Sequence, residues 1–180
     1  MKKEKKNLKK SNKFVNILII IFLLIIGIFL YSRYVGTKGI RVKEYRIVNK
    51  EIPKSFSGTK IIQISDIDYG STTSINDINK MVEKVNEFNP DIIFFTGDLI
   101  ACNINISDNE INKISNALAK LDNNLGKYAI KGECDMDDDS YFETIMNKSG
   151  FQILENQNTL IYNNSETPIL LAGTGPSTRS

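Results

Sequence analysis

The sequence predicts an α/β fold with a mostly parallel sheet, and three observations carry that expectation. Short apolar runs at residues 61–64, 92–95 and 128–130 alternate with stretches of helical periodicity. The first two runs are continuous rather than alternating, as strands buried on both faces are. Each of the three is followed by a short acidic loop. In open α/β sheets ligands bind beyond the carboxyl ends of the strands, so topology alone makes these loops the candidate site.

The elements follow in order. The first thirteen residues carry seven lysines against Glu4. Residues 14–31 are then apolar except for Asn16. A stretch of that length sits at the lower edge of what spans a bilayer. Tyr31-Ser32-Arg33-Tyr34 lacks the small-x-small pattern a signal peptidase favours. The expected organisation is a basic cytoplasmic tail (1–13), an uncleaved signal anchor (14–32), a linker with one strand (33–59) and a partial α/β domain (60–180). A cleaved signal is the competing reading. The basic flank would stay in the cytoplasm and place the domain outside the cell membrane.

The whole chain has a net charge of +2. Residues 1–34 hold seven Lys and Arg33 against Glu4, a net of +7, so the remainder is 2 − 7 = −5. A mildly acidic exterior domain argues against nucleic acid as a partner.

Gly36, Gly39, Pro53 and Gly58 punctuate the linker, and residues 42–48 roughly alternate like a half-buried strand. Ile75, Ile78, Met81, Val82, Val85 and Phe88 share one helical face, which Pro90 ends. A second helix is expected from Ser107-Asp108-Asn109-Glu110, a capping-box sequence, with Ile111, Ile114, Leu118 and Leu121 turned inward. Residues 141–146 read as helix. Residues 151–154, 160–162 and 169–172 are further strand candidates, and 173–180 reads as a loop.

The acidic loops are Ser65-Asp66-Ile67-Asp68, Thr96-Gly97-Asp98 and Lys131-Gly132-Glu133-Cys134-Asp135, and the chain has no histidine. Converging carboxylates repel one another, so several in one cleft call for a cation or raised pKa values. The plainer reading makes them capping and turn residues. Asp135-Met136-Asp137-Asp138-Asp139 begins like a calcium loop, but Ser140 and Met146 stand where glycine and glutamate are needed, and a solvated helix N-terminus is the better account. Residues 71–74 either contact phosphate or cap the following helix; capping by Thr73 or Ser74 is the simpler role. Cys102 and Cys134 both lie in loops after strands. A disulfide and two free thiols both remain open.

These three segments together resemble the motifs of the calcineurin-like metallophosphoesterases. Residues 61–70 look like the D-x-H motif, 91–99 like the G-D motif and 126–135 like the G-N-H-D/E motif. The resemblance implies the N-terminal half of a four-layer α/β/β/α sandwich behind a membrane anchor, lacking the C-terminal half. It implies metal ligands at Asp66, Asp68, Asp98 and Glu133, and catalytic positions at Cys134 and Asp135. Asp66, Gly97, Asp98, Gly132 and Asp135 match the motifs. Asp68, Glu133 and Cys134 replace the family's His, Asn and His.

Two-metal phosphoester hydrolysis needs two cations and a donor for the leaving group. An all-oxygen set suits Mn²⁺ or Mg²⁺ better than Zn²⁺ or iron, and binding of no metal is the other outcome. Two functions follow as expectations: a membrane-anchored phosphoesterase, or a non-catalytic pseudophosphoesterase binding a partner or one cation. A truncated product is the third reading, with a protein partner covering an exposed sheet face.

Overall fold

The computed structural model describes residues 2–31, 40–136 and 139–176, with side chains from residue 13 onward apart from Asp139. The chain divides into two units, Met1–Glu44 and Tyr45–Ser180. Of the expectations above, Asp137 and Asp138 of the calcium-like run, linker residues 33–39 and the terminal loop from 177 lie outside the described residues.

In the first unit α1 runs Lys2–Tyr31. Its segment Lys13–Tyr31 has a mean hydropathy of 3.0 and is exposed throughout. A helix of that length and composition is long and apolar enough to cross a membrane.

Residues 40–49, which straddle the boundary of the two units, form neither helix nor strand. Residues 40–50 are all exposed, and the strand expected over 42–48 is not formed among the described residues. Alternation alone does not make a strand, because each backbone N–H and C=O needs a paired neighbour. A 3-10 turn at Lys54–Phe56 then leads into the sheet.

Four parallel strands, β1 (Ile61–Ile64), β2 (Ile92–Phe95), β3 (Gly126–Ala129) and β4 (Gln152–Ile153), lie in the order β1-β2-β3-β4. Ile64 pairs with Phe95 and Phe95 with Ala129, so the first three strands end level with one another. Between them run α2 (Ile75–Asn86), α3 (Asp108–Leu118) and α4 (Asp139–Lys148). Consecutive helices contact each other, α2 with α3 and α3 with α4, as right-handed crossovers along a sheet built in sequence order require.

Helix starts follow local chemistry. Ser107 donates its amide to Glu110 Oε2 (2.9 Å), and Glu110 returns its own amide to Ser107 Oγ (3.4 Å), closing the expected capping box. Ser74 and Asp77 form a second one on α2. Ser74 is thus a helix cap, the plainer of its two readings.

One sheet face meets the helices. Ile64, Ile93, Phe95 and Ala129 pack against Ile78, Val82, Ile114, Leu118, Phe142 and Ile145. Phe95 lies between the rings of Phe142 and Phe151, at 6.2 and 6.4 Å. The opposite face carries a smaller cluster. There Ile92, Phe94 and Tyr128 meet Phe56 and the hairpin of β5 (Gln157–Ile161) and β6 (Ile169–Gly173) through Ile161, Ile169 and Leu171. The expectation of a bare inner face is therefore corrected: the hairpin covers its middle. Asn163 donates its side-chain amide to the Ser55 carbonyl (2.7 Å), fastening the hairpin to the 3-10 turn. Ile61 at the sheet edge and Leu160, Tyr162 and Leu170 on the hairpin remain exposed.

Asp91 marks where the edge strand and the third strand enter the sheet. Its carboxylate accepts the Lys60 amide and the Asn124 side-chain amide, both at 2.8 Å. The Asn124 bond, helped by the Lys60 amide, holds Asp91 below its ordinary carboxylate value of 3.8. A depressed folded-state pKa gives stability that is present above the ordinary value and lost as pH falls through the folded one. Asp91→Asn is expected to destabilise the domain at neutral pH, with the gap to the parent closing below pH 3.8. Urea denaturation across that range measures it.

Candidate functional site

Because β1, β2 and β3 end level, their loops emerge side by side. The first loop runs along the second on backbone bonds: Asp66 N–H to the Gly97 carbonyl (3.1 Å), Asp68 N–H to Asp98 (3.1 Å) and Tyr69 N–H to Leu99 (3.0 Å). Asp66, Asp68 and Asp98 all have positive φ, at 55°, 48° and 58°. Left-handed backbone costs an L-residue roughly 1–2 kcal/mol, least for Asp, Asn and Gly. Three of the four expected ligands thus sit on strained turns, a feature that clusters at functional sites.

The second and third loops interlock more tightly. A Cβ on Gly97, whose φ is 102°, would lie 2.3 Å from the Gly132 nitrogen. A Cβ on Gly132 would lie 2.4 Å from Asp98 Oδ1. Only glycine permits this backbone-to-backbone approach. Asp135 then closes the contact. Its carboxylate, 3 % exposed, accepts the amides of Asp98 (2.8 Å), Leu99 (3.0 Å) and Gly132 (2.9 Å). Burial pushes this carboxyl up, and the three amides push it back. Three backbone amides thus converge on Asp135, the residue expected at a catalytic position, and tie the second and third loops together through it.

Cys134 is joined to Cys102 in a disulfide. That settles the open question of pairing and corrects the expectation for Cys134, since a sulfur in a disulfide has no thiol proton to donate. The bond spans 32 residues; constraint of the unfolded chain by a loop of that size stabilises by ~3–4 kcal/mol in the chain-entropy account. The Cys134 amide points at Asp98 and donates to its Oδ1 (3.0 Å).

The electrostatics identify which acids share the crevice. Burial raises Asp68 above its ordinary value, and the charges of Asp98, Asp66 and Asp135 raise it further. Asp68 thus feels the other three carboxylates; Glu133, the remaining expected ligand, is exposed. A mutually repelling group gains by taking up a proton or a cation. Among the described residues, however, no three acidic or thiol side chains close around one point as a ready-made metal cage. Of the expected ligands, Asp66, Asp68 and Asp98 lie in the crevice and Glu133 is exposed; an all-oxygen set is of the kind that hard divalent cations take.

The sequence marked Gly97, Gly132 and Asp135 as motif positions but not their packing against one another, which the structure supplies. The signal was there in Gly97-Asp98 and Gly132…Asp135, whose paired spacing places one glycine against the other.

Residues 59–176 match the family model described as calcineurin-like phosphoesterase. Over 141 residues the chain is 28% identical to a transmembrane protein with metallophosphoesterase domain from Danio rerio, covering 74% of this chain and 30% of that one. Over 128 residues it is 30% identical to the uncharacterized metallophosphoesterase YkuE of Bacillus subtilis, covering 70% of this chain and 44% of the relative. A shorter stretch of 87 residues is 36% identical to the UDP-2,3-diacylglucosamine pyrophosphatase LpxG of Chlamydia muridarum, covering 47% of this chain and 26% of that one. The chain spans less than half the length of each of these relatives.

Proposed function

This chain belongs to the calcineurin-like phosphoesterase family, and from that premise we propose that it is a membrane-anchored phosphoesterase-type protein whose crevice binds one divalent cation and, within these 180 residues, does not complete a hydrolytic site. Asp66, Asp68 and Asp98 would hold the cation, with Glu133 as an exposed fourth carboxylate. Mn²⁺ or Mg²⁺ suits these oxygens. Bound there, the cation supplies Lewis acidity toward a phosphoryl group.

The observation that carries the reading is the state of the third loop. A leaving oxygen needs a proton donor within reach. Cys134 is committed to sulfur and Asp135 to three amides, and the chain has no imidazole. The non-catalytic reading is therefore favoured over an active phosphoesterase for this stretch alone.

Location follows from two features. The helix at Lys13–Tyr31 would anchor the chain, and the lysine-rich flank would keep the N-terminus cytoplasmic and the domain outside. The LpxG relatives are named for hydrolysis of a diacylated sugar nucleotide. With the anchor, that favours a phosphoester or pyrophosphate presented at a membrane surface as the ligand.

The test uses the full chain in detergent micelles. Calorimetry is expected to detect weak Mn²⁺ binding that Asp98→Asn removes. Hydrolysis of an aryl phosphate with Mn²⁺ is expected to be the same for the parent and Asp98→Asn. Turnover by the parent that the substitution abolishes would overturn the non-catalytic reading.

A further inference from the structure

Cys102 follows Asp98 on the loop after β2, and Cys134 opens the 3-10 turn Cys134–Met136 after β3. The sulfur–sulfur bond therefore ties the turn to Asp98's own loop. Asp98 is then gripped twice by that turn. Its Oδ1 accepts the Cys134 amide and its own amide goes to Asp135. The covalent bond and the two hydrogen bonds close one small ring around the carboxylate.

The two cysteines differ in exposure. Cys102 is exposed and Cys134 is half-buried. Exchange begins when an external thiolate attacks one sulfur of a disulfide, and access decides which.

We propose that the Cys102–Cys134 bond is a reducible clamp that positions Asp98, and that a dithiol reductant opens it by attack at Cys102. The reductant's thiolate bonds to Cys102 Sγ while the bond to Cys134 breaks. Cys134 leaves as a thiolate and takes a proton. The reductant's second thiol, as thiolate, attacks the mixed disulfide and becomes the reductant's own disulfide. Cys102 leaves and is protonated in turn. Two electrons and two protons pass to the protein.

Opening releases the turn from the Asp98 loop, so the repulsion among Asp66, Asp68, Asp98 and Asp135 is no longer held in check by a covalent tie. In the oxidised chain that tie keeps the acidic loops together without help from a cation. The clamp acts whether or not the crevice hydrolyses anything, and amide exchange and intact mass report its state without an activity.

Hydrogen exchange followed by mass spectrometry tests it on the full chain in micelles. Three states are compared: oxidised, oxidised with EDTA, and reduced with dithiothreitol. The intact oxidised chain is expected to be lighter than the reduced one by two hydrogens. Reduction is expected to raise exchange at residues 98–99 and 132–134 about tenfold, as local opening does, while β1 to β3 stay protected. EDTA should leave the oxidised pattern unchanged, and reoxidation should restore it. A brief glutathione pulse should leave its adduct on Cys102.

Unchanged exchange at those loops after reduction would overturn the clamp, and so would loss of protection throughout the sheet. An adduct on Cys134 would overturn the direction of attack. The double variant Cys102→Ser, Cys134→Ser is expected to reproduce the reduced pattern. If it does not fold, the reduced parent chain still decides.

Discussion

Asp135→Ala is expected to destabilise the folded domain by about 2–4 kcal/mol at neutral pH. Three backbone amides, those of Asp98, Leu99 and Gly132, converge on this one carboxylate. Alanine leaves all three without an acceptor, and each orphaned buried donor costs roughly 1–3 kcal/mol. Part of that loss is returned. The carboxylate is itself penalised by burial and by the nearby Asp98 charge, and both penalties vanish with it.

Asp135→Asn should cost less, because one amide oxygen in the place of Oδ2 still serves Asp98 and Gly132. Its NH₂ group then faces the Leu99 amide, donor against donor. The order parent, Asn, Ala in urea midpoint, at constant m-value, checks the argument. A variant ranking in which Asn is as damaging as Ala would mean that charge rather than acceptor count matters.

Gly97→Ala is expected to cost about 3–5 kcal/mol, through two effects that add. The φ of 102° disfavours any Cβ, at about 1–3 kcal/mol. The new Cβ also collides with Gly132 backbone at 2.3 and 2.4 Å, and overpacking of that kind costs a further ~1–3 kcal/mol when the obstacle must move. Gly58 separates the two effects. Its φ is 83° and a Cβ there meets nothing within 4 Å, so Gly58→Ala should show the conformational cost alone, roughly 1–2 kcal/mol. Thermal and urea melts of both variants measure the difference. Gly97→Ala should also loosen Asp98, which is read as weaker Mn²⁺ binding by calorimetry.

The sheet was legible because its signals are local. Ile92-Ile93-Phe94-Phe95 has no polar residue to face water, and Ser107 with Glu110 states where α3 begins. The apolar face of α2 predicted its buried Ile78, Val82 and Val85. The acids were legible too, since loops after level parallel strands have to meet. What stayed hidden depends on contacts between residues far apart in sequence. Nothing in Lys131-Gly132-Glu133-Cys134-Asp135 announces that Asp135 turns inward while Glu133 stays exposed. The cysteine pairing needed the distance between two loops. The opposite error arose at residues 42–48, where a strand-like alternation met no partner strand.

The strand order has a kinetic consequence. Every strand of the main sheet pairs with the one made just before it, Ile92 on Ile61, then Gly126 on Ile92, then Gln152 on Tyr128. Each pairing closes a loop of one βα unit, 31, 34 and 24 residues in turn, so the sheet pays loop-closure entropy at every step and folds slowly, as parallel sheets do. As the polypeptide leaves the ribosome or the translocation channel, each βα unit can dock on the last. Gly132 reaches Gly97 only when the third unit arrives, so the acidic crevice is assembled late, on a platform that is already standing.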